Sequence, residues 1–158
     1  MTSYIPLKIL SKKEKEELAT QLEKQFGIKN AEGIFLMRGQ ERIFLFQGSL
    51  TEKQIKELEN VVPVERVGVY FGKNINGQIR LSIEGTQMLK NQITKNIFEL
   101  DDKQLELWMK GQEILIETGK NDFLVMKYKD NFLGCGKASE KKITNFIPKN
   151  RRLREKNN

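Results

Sequence analysis

What most constrains the fold is the length of the apolar runs. They are short, and turn-forming residues close each one. GIFLM at 33–37 and RIFLF at 42–46 are separated by Arg38, Gly39, Gln40 and Glu41, the pattern of a β-hairpin. Val67–Phe71 and Gln78–Ile83 flank Asn74-Ile75-Asn76-Gly77, a second hairpin with an Asn-Gly turn. Further runs at about 112–117, 122–128, 131–138 and 142–147 are joined by TGKN, KDN and SEKK. None approaches the ~18 apolar residues of a membrane span. Short strands at this spacing build a small barrel or sandwich.

Helices fill the gaps. Ser11 and Glu14 have capping-box spacing, and Leu18, Leu22 and Phe26 form one stripe ending at Gly27, which predicts a helix over 11–26. Thr51 and Gln54 form a second box inside a Leu50/Ile55 staple, predicting a helix over 51–60. Pro63 should break the chain. A short helix fits 86–91 after Gly85, and NQITKNI at 91–97 reads as a link. Phe98–Leu100 follows as a short strand. Asp101 then caps a helix carrying Leu105, Trp108 and Met109 and ended by Gly111. The expectation is an α+β chain in two parts. Residues 1–95 are a mixed domain and residues 96–158 a mainly β domain with a basic tail.

Chemistry is narrowed by what is missing. The chain has no histidine and one cysteine, Cys135. Ser–His and Cys–His catalysis, His-based metal sites, structural zinc and an internal disulfide are therefore excluded. One thiol suits a reducing, cytoplasmic setting. Gly134-Cys135-Gly136-Lys137 is not a P-loop, because Asn131 and Ala138 stand where it needs glycine and Ser/Thr. Ser139 likewise breaks a dinucleotide fingerprint. A strand glycine pair of this kind marks a bulge or a close backbone approach. Cys135 lacks an activating base and reads as a buried strand residue. Glu14, Glu16, Glu17, Glu57 and Glu59 read as solvated helix faces, and Asp101 and Asp102 as helix starts. Trp108 sits at core spacing. No enzyme, cofactor or metal is expected.

Charge points to a partner. The formal net charge is +7 and the pI about 9.4. Residues 131–158 carry eight basic and two acidic side chains, whereas 98–130 carry five and eight. Lys137, Lys141, Lys142, Lys149, Arg151, Arg152 and Arg154 fall within 18 residues, with Asn145 and Phe146 among them. Cations on strands can track phosphates, asparagine can read a base edge, and an exposed phenylalanine can stack on a base. A solvated tail and an inward Phe146 are the plainer readings. These eight polar residues, Lys137, Lys141, Lys142, Asn145, Lys149, Arg151, Arg152 and Arg154, are the candidate nucleic-acid-binding set.

A resemblance sharpens the expectation. Lys110-Gly111, Leu133-Gly134-x-Gly136 and the ending Ile143-x-Asn145-Phe146-x-Pro148-Lys149-x-Arg151-Arg152 resemble a PUA domain. PUA domains are RNA-binding pseudobarrels, and this ending is similar to those associated with Nol/Nop/Sun rRNA cytosine-5 methyltransferases. Leu10-Ser11, the 33–46 hairpin and Tyr70-Phe71-Gly72-Lys73…Ile79-Arg80-Leu81 resemble the pre-PUA domain of archaeal and eukaryotic ribosome-assembly factors. Only Glu117–Asp122 stands where many PUA domains have a longer glycine-rich loop. The resemblance implies a mixed α/β pre-PUA domain followed by a PUA pseudobarrel, with an archaeal source. It implies a non-catalytic RNA-binding protein of rRNA modification or ribosome assembly. Its partners would be structured RNA (rRNA or tRNA) and an RNA methyltransferase or assembly factor, with no membrane. The alternative is a protein adaptor that recruits such an enzyme through its N-terminal domain.

Overall fold

The computed structural model describes residues 7–61 and 68–154. Pro63 and Val67 lie outside the described residues. The expected helix at 11–26 is α1 (Lys12–Phe26). The Ser11 hydroxyl accepts from Glu14 N at 3.2 Å, and the Glu14 carboxylate accepts from Ser11 N at 3.1 Å. Both donors would otherwise be orphaned at the helix start. Leu18, Leu22 and Phe26 are buried. The second box also forms, starting α2 (Glu52–Val61) with Ile55 buried.

The first sheet is antiparallel throughout. Its strands run in chain order: β1 (Leu7–Ile9), β2 (Ile34–Arg38), β3 (Arg42–Phe46), β4 (Val69–Ile75) and β5 (Gln78–Leu81). β1 carries no signal of its own and exists because it pairs with β2. β4 runs on to Ile75, so the turn tightens to Asn76-Gly77, both at positive φ. The sheet is covered on two sides. α1 is tied to β5 through Gln25, whose amide bonds the Ile79 N–H at 2.7 Å and its carbonyl at 3.1 Å. Ile55 of α2 clusters with Leu7, Leu36 and Phe44.

α3 (Ile83–Met88) follows β5 directly, three residues earlier than expected, because Ser82 caps it by accepting from Gly85 N. Then come β6 (Ile97–Glu99), α4 (Asp102–Met109), β7 (Ile114–Leu115), β8 (Phe123–Tyr128), β9 (Asn131–Ala138) and β10 (Lys142–Thr144). The second sheet has the order β6-β8-β9-β10-β7, with β6 parallel to β8 and its other pairs antiparallel. The last strand stops at Thr144, short of the expected 147. Residues beyond it bend into a 3-10 turn at Lys149–Arg151.

β8 explains the packing. Phe123 and Val125 face a core shared with Leu22, Phe26, Phe71 and Ile79 of the first part. Leu124 and Met126 face a second core around Trp108, Ile143 and Ile147. Successive side chains point to opposite faces, so the unbroken FLVM run marks a strand buried on both. The glycine pair in β9 meets both expectations. Gly134 sits at φ +77 where the β8–β9 register shifts, and donates to the buried Thr86 Oγ1 at 3.0 Å. A Cβ on Gly136 would lie 2.5 Å from Ile143 and 2.7 Å from Trp108. The fold class is α+β, as expected.

Candidate nucleic-acid interface

The two sheets meet along a cleft of about 530 Å³. One wall comes from the ends of β3, β4 and β5, which supply Arg42, Tyr70 and Arg80. The other comes from Leu133–Cys135 of β9 and from the segment 146–151 after β10. Ser82 and Glu84, at the start of α3, form the floor between them. Ser82 fixes that floor by donating to the Tyr70 carbonyl at 2.6 Å.

Three arginines and two aromatic rings stand in the described lining. The Arg80 guanidinium lies 4.1 Å from the centroid of Phe146. That of Arg42 lies 5.2 Å from Tyr70 and 5.7 Å from Phe44. Such stacking holds a flexible cation in one place while leaving its N–H edge free to donate. Arg151 reaches in from the 3-10 turn and pairs with Glu84.

Residues 95–153 match the family model described as the PUA domain of methyltransferase RsmF. Over these residues the chain is therefore similar to the PUA domains of rRNA methyltransferases. Nearly the whole chain (96%) is also similar, at 27% identity over 159 residues, to the ribosomal RNA small subunit methyltransferase F of Vibrio campbellii. The chain spans about a third of that relative's length (32%). The matched residues take in β6, α4, the rest of the second sheet and the segment carrying Arg151.

The eight candidate residues separate once placed on this domain. Arg151 enters the cleft. Lys141, Lys149 and Arg154 are exposed and have no ion-pair partner among the described residues. Lys142 pairs with Glu113 at 2.9 Å. Lys137 donates to the Asn121 carbonyl and lies 4.8 Å from the Phe123 ring. Two others hold the fold. The Asn145 amide donates to the carbonyls of Trp108 at 2.8 Å and Gln112 at 3.0 Å, and its oxygen accepts from Ile147 N. That spends its donors inside the protein and leaves none for a base edge. Arg152 Nε donates to the Ile147 carbonyl, and its chain lies over Gly111. Phe146 is half-buried: it packs near Phe123 at 6.3 Å and also borders the cleft.

Arg42, Tyr70 and Arg80 were missed as site residues because each lies on a strand far from the basic tail. Arginine itself was the available signal, since the chain has 21 lysines and only seven arginines. Cys135 is buried, and burial pushes its thiol up to about 12. Among the described residues no cluster of three His, Cys, Asp or Glu could hold a metal ion, and no helix is long and apolar enough to cross a membrane.

Proposed function

We propose that this chain is a non-catalytic RNA-binding protein that serves rRNA modification or ribosome assembly. Its PUA-type domain docks structured RNA, and a pre-PUA-like domain over residues 1–95 accompanies it. The observation that carries the reading is the kinship of residues 95–153 to the PUA domain of an rRNA methyltransferase, joined to an arginine-lined cleft and a cationic rim. Phosphate contacts from Lys141, Lys149 and Arg154 supply affinity that falls with salt.

A titration of the full chain against an rRNA fragment, a tRNA and a DNA duplex of equal length, at low and physiological salt, tests it. Preference for one structured RNA at physiological salt is expected. Equal binding that salt abolishes for all three ligands refutes the reading.

A second reading is favoured by the match of nearly the whole chain, first sheet included, to a third of a methyltransferase. Here the chain brings RNA to, or is itself carried by, an rRNA methyltransferase. Stoichiometric association with such an enzyme in high salt and without RNA is the outcome that distinguishes it.

A further inference from the structure

Arginine is placed selectively in this molecule. The described residues lining the cleft include three of the seven arginines, Arg42, Arg80 and Arg151, and none of the 21 lysines. Charge alone would not sort the two residue types. A planar fork that donates in pairs and stacks on rings would. The lining also offers two partly exposed rings, Tyr70 and Phe146, each already backed by a guanidinium. The volume of about 530 Å³ falls within the roughly 300–1,000 Å³ of small-ligand sites. Flat stacking surfaces beside phosphate-matched donors suit a nucleotide that has left its helix. They do not suit a paired duplex, which presents its backbone to the outside and its bases to each other.

We propose that the cleft between the two sheets takes an unpaired nucleotide of the bound RNA. Its base stacks against the Arg80–Phe146 or Arg42–Tyr70 pair, and its phosphate takes Arg151. This rests on the RNA-binding reading above and adds the class of RNA feature recognised. Glu84 is the one carboxylate of the described lining. It holds Arg151 in the free protein, so an arriving phosphate must displace it. Glu84 therefore lowers affinity while keeping Arg151 in position.

The test uses the full chain and two labelled RNAs, a blunt duplex and the same duplex with a short unpaired bulge, at physiological salt. The intact protein should prefer the bulged RNA. Arg80→Lys and, separately, Arg42→Lys keep the charge but lose the fork. The variant at the pair that stacks the base should weaken bulged-RNA binding by about tenfold, within the range of one lost stacking contact, and so narrow the preference over the duplex. Glu84→Gln should tighten bulged-RNA binding several-fold, a gain that misfolding does not produce. Equal affinity of the intact protein for the two RNAs, or full bulged-RNA affinity in both Lys variants, overturns the cleft proposal and leaves RNA binding standing. Failure to bind either RNA, with capture of a polyglutamate peptide instead, overturns both.

Discussion

At Gly136 a single hydrogen separates a packed core from a clash. The Cβ of alanine would press on Ile143 and Trp108, both fully buried. Gly136→Ala is expected to destabilise the protein by about 1–3 kcal/mol, as overpacking does, measured by urea unfolding. Cys135 gives a pH signature. Burial raises its folded pKa to about 12, above the ordinary thiol value. Its neutral form therefore contributes stability that is complete below the unfolded pKa and declines as pH rises toward the folded one. Between about pH 9 and 12 the intact protein should lose stability faster than Cys135→Ala, followed by thermal melts across that range. Both residues were legible as structural from the sequence, because a strand glycine pair and a lone thiol without a base have few other uses. Asn145 was not legible. Its type and its cationic neighbours suit a base edge equally well, and only the folded chain brings the Trp108 and Gln112 carbonyls to its amide.

The segment after β10 does two jobs that adjacent arginines divide between them. Arg152 fastens the segment by bonding the Ile147 carbonyl and lying over Gly111, whereas Arg151 reaches across to Glu84 on α3. Arg152→Ala is expected to cost about 1–2 kcal/mol through a lost charged hydrogen bond and lost packing, with RNA affinity falling only in proportion to unfolding. Replacing Lys141 and Lys149 together should leave stability unchanged and lower the salt slope of RNA binding by about one per lost phosphate contact. Calorimetry beside a salt titration separates the two effects. Elements announced by local chemistry were readable in advance: the capped helices α1, α2 and α4, and the hairpins. Elements made by distant partners were not. β1 has three residues and only β2 to define it, and the Ser82 hydroxyl that starts α3 is anchored by the Tyr70 and Phe71 carbonyls.

The two sheets are joined by a shared core. Phe123, Val125, Phe132 and Cys135 of the second sheet pack with Leu22, Phe26, Phe71 and Ile79 of the first, although the charge pattern and the link at 91–97 suggest two pieces. Burying a side chain of this size is worth about 1.5–3 kcal/mol, so neither piece keeps its stability without the other. A single cooperative transition is expected, with fluorescence of Trp108 and far-ultraviolet circular dichroism superimposing. Two separated transitions would show that the shared core contributes little. The cleft was invisible in the sequence for the same reason: its walls join residues about 50 to 110 positions apart. That the described lining of the cleft holds arginine and no lysine also makes the molecule chemically addressable. Acylating reagents that consume amines would neutralise Lys141 and Lys149 of the rim and spare the cleft, whereas dicarbonyl reagents that consume guanidines would reach Arg42, Arg80 and Arg151 in the cleft and, on the rim, Arg154. Amine acylation alone can thus remove much of the general adhesion of the unmutated protein and leave the cleft's recognition to be measured.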